Sequence, residues 1–272
     1  TEFDFLCRCV EEAIKAGATT INIPDTVGYS TPDEYKDLFI RVREAVPNSD
    51  KAVFSVHCHD DLGMAEANSL AGLKGGARQV ECAINGIGER CGNADLCTVV
   101  PALQLKLGFD CLPGDALGRL TDLSHFVDDQ ANISSIDRSP YVGRSAFAHK
   151  GGIHVSAVMK DSRLYEHTPP ESIGNKRRVL VSDLSGQSNV RYKAEEFGID
   201  LKGREVARGT VQRIKEMENT GYAFDAADAS FAFRPRSRAG QEPEFFRLGW
   251  LRVSPAYAGP AARSGRTSTQ LT

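Results

Sequence analysis

Two apolar periodicities take turns along the first hundred residues, and that alternation restricts the chain to few architectures. Phe3 to Ala16 is amphipathic at helical spacing and ends at Gly17. Thr19 to Ile23 is a short β-branched run. Ser30-Thr31-Pro32-Asp33-Glu34 opens a helix running to about Val46, with Thr31 as N-cap and Pro32 in its first position. Ala52 to Val56 reads as a buried strand, and Met64 to Lys74 as a helix that stops at Gly75-Gly76. Gln79 to Ile84 reads as a third strand, and Asp95 to Leu107 as a helix closed by Gly108. Such repetition predicts parallel strands joined by helical crossovers. In folds of that kind, chemistry collects in the loops that follow strands. Asp25, His59 and Gly86-Ile87-Gly88-Glu89-Arg90 all fall there.

The second of these loops carries His57-Cys58-His59-Asp60-Asp61. Residues two apart in a strand share a face, so His57 and His59 project together from the strand's C-terminal end. Two neutral imidazoles form half a site for a divalent ion, and an oxygen donor from a neighbouring loop would extend it. Mg²⁺, Mn²⁺, Zn²⁺ and Co²⁺ all suit such mixed ligation. On residues alone, two unconnected histidines fit the pattern as well. Asp25 fits either a turn cap or a substrate contact. Glu89-Arg90 fits a local ion pair, and Asn93, just ahead of a helix, fits an N-cap.

The 272 residues, 41% hydrophobic and 25% charged, suffice for one large domain or two smaller ones. A net charge of -3 gives no general pull toward nucleic acid or an anionic membrane. Lys176-Arg177-Arg178 reads as a solvated face. No apolar run reaches transmembrane length, and Thr1-Glu2-Phe3-Asp4 lacks a signal-peptide pattern. Seven cysteines with no Cys-x-x-Cys pair point to reduced thiols and a cytoplasmic setting. Beyond Pro113 the pattern changes. Residues 115–130 read as helix, 131–180 as short helices joined by polar loops, and 203–218 as a charged amphipathic helix. Period-two alternation within Gly221 to Phe233 predicts a strand. Residues 254–272 have no periodicity and read as a disordered tail, or as sequence out of its proper frame.

Three motifs carry a family resemblance. Ile21-Asn22-Ile23-Pro24-Asp25-Thr26-Val27-Gly28-Tyr29, Ser55-Val56-His57-Cys58-His59-Asp60-Asp61-Leu62-Gly63 and Asn85-Gly86-Ile87-Gly88-Glu89-Arg90-Cys91-Gly92-Asn93 resemble the 2-isopropylmalate synthases, which are metal-dependent TIM-barrel Claisen-condensing enzymes. The runs from Tyr141 to His154 and from Gly174 to Ser182 are more similar to the citramalate synthases. The resemblance implies an α/β fold: the C-terminal part of a TIM (β/α)8 barrel over 1–112, a mainly helical linker region over 113–214, and the start of a regulatory domain over 215–253. It implies His57, His59 and Asn93 as metal ligands, Thr26 on the carboxylate of a 2-oxo acid, His154 as catalytic histidine and Tyr165 as its assistant. Acetyl-CoA is the implied co-substrate. The acceptor is 2-oxoisovalerate in leucine biosynthesis or pyruvate in isoleucine biosynthesis. The implied assembly is a homodimer whose linker region reaches the partner's barrel.

Against the family's eight strands, only the last three are recognisable in this sequence. An early-strand Asp ligand, its adjacent Arg and an acid–base Glu have no counterpart, so the chain alone is expected to bind metal weakly and to be inactive, or to be a non-catalytic barrel fragment. Among related families, a homocitrate synthase would usually lack the asparagine at position 93. A hydroxymethylglutaryl-CoA lyase would carry Gly-Gly-Cys-Pro where this chain has Gly88-Glu89-Arg90-Cys91-Gly92.

Overall fold

The computed structural model describes residues 1–201, 203–224, 228 and 231, and the backbone of 251–255 and 267–271. It divides into two compact units, 1–180 and 181–272.

The first unit opens with helix α1 (Phe3–Lys15), strand β1 (Thr20–Asp25), helix α2 (Pro32–Ala45), strand β2 (Val53–Cys58), helix α3 (Ala65–Lys74) and strand β3 (Gln79–Glu81). The strands form a parallel sheet in the order β1-β2-β3, as the alternation predicts. Its register sets Pro24 beside His57 and His57 beside Glu81. Ile21, Ile23, Phe54, Val56 and Cys58 face the helices and pack with Tyr35, Phe39 and Val42 of α2. The pleat therefore gives the opposite face to Asn22, Pro24, Ser55, His57, Gln79 and Glu81. Helix α2 starts where expected: the Glu34 carboxylate accepts the Thr31 N–H at 2.8 Å and the Thr31 hydroxyl at 2.7 Å.

The third strand is shorter than its apolar run suggests. It ends at Glu81, and the chain turns through a 3-10 segment, Ile84–Gly86, with Asn85 at φ 59°. Asn85 holds that turn by donating to the Ser124 carbonyl and the Asp128 carboxylate. The next helix, α4 (Leu96–Pro101), widens into a π turn over Ala102–Lys106. Pro101 has no N–H to donate inside the helix, which breaks the regular ladder there.

Helix α5 (Leu120–Ala131), the two-residue strands β4 (Ala148–His149) and β5 (Arg178–Val179), and helix α6 (Gly152–Val158) complete the unit. They match the expectation of short helices joined by loops. Leu117, Leu120, Val142, Phe147 and Ile173 pack on Cys97, so this segment braces the helix that follows the third loop.

The second unit holds α7 (Gln187–Glu196) and α8 (Arg204–Glu218) around Val181, Val190, Ala207, Ile214, Met217, Phe224 and Phe231. Helix α7 is not legible in the sequence, because its buried face mixes Val190 and Ala194 with Asn189 and Lys193. The strand expected within 221–233 is not formed at 221–224, which are turn and irregular, and residues 228 and 231 are helical; the rest of that stretch lies outside the described residues. Phe224 and Phe231 are buried in the core of this unit. Most of the expected regulatory-domain opening over 215–253 also lies outside them. The strand β6 (Leu251–Pro255) pairs antiparallel with β7 (Thr267–Leu271), so 267–271 and the last two residues of β6 are ordered within the 254–272 stretch expected to be a disordered tail. Among the described residues, no helix is long and apolar enough to cross a membrane.

Candidate metal centre

The end of β2 sets two imidazoles against each other. His57 Nε2 and His59 Nε2 lie 3.4 Å apart, with ring centroids at 5.1 Å. Two nitrogens held by one ion at about 2.0–2.1 Å, at angles of about 90–110°, sit about 2.8–3.4 Å apart. The spacing is that of a chelating pair. Cys58 lies between them but faces the helices. Its thiol is packed in the core under the helices, away from the imidazole pair, and burial pushes it up to about 11.

The third loop brings Asn93 to the same place. An antiparallel bridge pairs Asn93 with His59, and residues opposite one another in such a bridge share a face. Asn93 Nδ2 donates to the Ile87 carbonyl at 3.0 Å, which aims the amide. Asn93 Oδ1 is buried without a partner, as is His59 Nδ1. An orphaned buried polar atom costs about 1–3 kcal/mol. An unsatisfied amide oxygen next to an imidazole pair is what an absent cation would leave, so these residues fit a divalent ion. Asn93 is not the N-cap of α4. Asp95 takes that role, accepting the Cys97 N–H at 2.9 Å. Among the described residues, no group of three or more His, Cys, Asp and Glu is placed to hold a metal.

The loops are locked together by residues whose pairing the sequence does not announce. The Arg90 guanidinium grips Asp61 through Nε and a terminal nitrogen, each bond 2.8 Å, and donates to the Thr26 carbonyl at 2.9 Å. Glu89 is 3.8 Å from Arg90, so the neighbouring carboxylate is the lesser partner. The hydrogen bond from Arg90 holds the Asp61 carboxyl below the usual range. Gly28, at φ +57°, lets the first loop lie directly on the second: a Cβ there would stand 2.6 Å from Asp61 N and 2.7 Å from the His59 carbonyl. Asp25 caps its own turn, accepting the N–H groups of Tyr29 and Ser30 at 3.2 and 3.1 Å. Thr26 is exposed, and its hydroxyl makes no hydrogen bond among the described residues.

His154 and Tyr165 do meet each other, with ring centroids 4.4 Å apart. They form a second constellation. Among the described residues they share no hydrogen bond or ring contact with His57, His59, Asn93 or Thr26. Beside Tyr165, the buried Glu166 accepts two hydrogen bonds of 2.6 Å from Arg177 and lies 3.1 Å from His149 Nε2. Burial raises the Glu166 carboxyl, but Arg177 and His149 outweigh it and the net shift is downward.

Residues 1–127 match the HMGL-like family, and residues 141–222 match the homocitrate synthase post-HMGL domain-like family. The first 127 residues therefore carry an HMGL-like domain. The chain's TIM-barrel part and the mainly helical region beyond are the architecture expected from the motifs. Relatives of the chain include a 2-isopropylmalate synthase from Bradyrhizobium sp. (strain BTAi1 / ATCC BAA-1182), 56% identical over 210 residues, covering 76% of this chain and 40% of that protein. They also include an (R)-citramalate synthase from Aquifex aeolicus, 43% identical over 252 residues, covering 92% of this chain and 47% of that protein. The chain thus spans less than half the length of either. Similar solved structures include an HMG-CoA lyase from Brucella melitensis, at 24% identity and a TM-score of 0.40, over 47% of this chain and 45% of that one.

Proposed function

We propose that this site serves the condensation of acetyl-CoA with a 2-oxo acid, the acceptor being 2-oxoisovalerate and the product 2-isopropylmalate. The carrying observation is the 3.4 Å imidazole pair beside the unpartnered Asn93 oxygen. His57, His59 and Asn93 would hold a divalent ion, which when bound polarises a keto oxygen. Thr26, fixed through its carbonyl by Arg90, leaves its hydroxyl for the acceptor's carboxylate. His154 takes and returns a proton at a ring nitrogen, and the Tyr165 ring beside it sets its orientation. In the homodimer of this reading, the pair serves the second copy's site. The seven free thiols suit a cytoplasmic enzyme.

Pyruvate, giving citramalate, is the alternative acceptor. The alignment with the (R)-citramalate synthase supports it by reaching further along the chain, over 252 residues against 210, while the higher identity supports 2-oxoisovalerate. Among the described residues the site offers two imidazoles and an amide but no carboxylate ligand, which supports weak ion binding and no turnover by the 272-residue chain alone. Thiol release from acetyl-CoA decides the matter. It is run with Mn²⁺ and each acceptor, on the 272-residue chain and on a longer chain that contains it. The expected result is release by the longer chain only, faster with 2-oxoisovalerate. Faster release with pyruvate overturns the acceptor; no release with either overturns the reaction.

A further inference from the structure

We infer that Glu81 is a positioning residue: its carboxylate fixes the tautomer and aim of the His57 ring. The inference rests on the metal reading above. Strand register places Glu81 directly beside His57 on the sheet face away from the helices. Its Oε1 is already taken, accepting the hydroxyl of wholly buried Ser55 at 3.0 Å and the Gln79 amide at 3.3 Å. Its Oε2 is left facing His57 Nδ1 at 3.6 Å, longer than a hydrogen bond and within reach of one after a slight ring turn.

The chemistry then runs one way. An ionised carboxylate only accepts, and a neutral imidazole carries its proton on one nitrogen. Nδ1 must therefore hold the proton, since the other tautomer sets two acceptors face to face. That leaves the lone pair on Nε2, the atom that meets His59 Nε2. A carboxylate behind a ligating histidine works in this manner, and its loss typically lowers metal affinity about 10–100-fold. His59 has no such support, because its Nδ1 is buried and unpartnered. His57 is thus the ligand prepared in advance, and His59 the one that adjusts.

The test uses the 272-residue chain labelled with ¹⁵N, at a pH where the rings are neutral. Long-range ¹H–¹⁵N spectra read the His57 tautomer, and Mn²⁺ titration reads affinity. Wild type is expected to show the Nδ1–H form. Glu81→Leu is expected to shift His57 toward Nε2–H and to weaken Mn²⁺ binding about 10–100-fold, with far-UV circular dichroism unchanged. Glu81→Gln, which keeps one acceptor, is expected to recover part of both. Ser55→Ala, which frees the carboxylate's anchor, is expected to move both readouts less in the same direction. An unchanged tautomer and affinity in Glu81→Leu overturns the inference. So does lost affinity with an unchanged tautomer, which would make Glu81 a direct ligand. If a His57→Ala, His59→Ala double variant binds Mn²⁺ as wild type does, the metal reading itself fails.

Discussion

Arg90 and Asp61 are joined by two parallel N–H···O bonds of 2.8 Å, across 29 residues of sequence. The fork ties the loop after β3 to the loop after β2, and the Arg90 bond to the Thr26 carbonyl brings in the loop after β1. One guanidinium thus sets the relative positions of the segments carrying Thr26, His59 and Asn93. Lysine cannot reproduce the fork, since an ammonium is a point charge without planar geometry. Arg90→Lys is expected to lower Mn²⁺ affinity about tenfold while the melting temperature hardly moves, because the pair is exposed to water. Titration and thermal melts of the same samples check both halves.

Gly88 supports Asn93 by being small. A Cβ at Gly88 would stand 2.1 Å from Asn93 Nδ2, so Gly88→Ala must push the amide off its bond to the Ile87 carbonyl. The expected outcome is a fall in ion affinity matching that of Asn93→Ala, with the fold intact. Gly28→Ala acts differently: it forces a Cβ against Asp61 and His59 backbone at a positive φ. It is expected to cost about 2 kcal/mol of stability, measured by urea denaturation.

Glu166 gives the first unit a pH dependence with a definite sign. Its carboxyl is lowered in the fold from the ordinary 4.5, Arg177 and His149 outweighing burial. A depressed carboxylate contributes stability that is complete above the unfolded value and is lost as pH falls through the folded one. Glu166→Gln keeps one acceptor for Arg177 but removes the buried negative charge, and is expected to cost about 2 kcal/mol at pH 7. The gap between wild type and variant should hold down to about pH 5 and close below 4.5. Chemical denaturation at a series of pH values measures it.

The His154–Tyr165 pair is exposed, so its loss should be felt in turnover and not in stability. In a longer, active chain, Tyr165→Phe keeps the ring against His154 and removes the hydroxyl. It is expected to lower kcat about 100-fold with KM little changed, read by steady-state thiol release.

Much of the barrel part was legible because its elements follow simple periods. Thr31-Pro32 marked the start of α2, and the β-branched and apolar runs marked all three strands. His57 and His59 were legible as a pair because strand geometry alone puts them on one face. Asn93 came only through the family motif; by spacing it competed with a capping role that Asp95 in fact fills. What escaped was long-range pairing. Arg90 with Asp61, Glu81 behind His57, and Glu166 with Arg177 each join elements separated in sequence. Glu81 had one visible sign, its place near the end of the strand after the histidines, but only register makes it their neighbour. Helix α7 escaped because buried Asn189 and Lys193 interrupt its apolar stripe.

The most direct test of the account is Mn²⁺ binding to the 272-residue chain by electron paramagnetic resonance, compared with His57→Ala, His59→Ala and Asn93→Ala. The account predicts one weakly held ion per chain, lost with either histidine and weakened at least tenfold without the asparagine. Binding that survives removal of both histidines would contradict it.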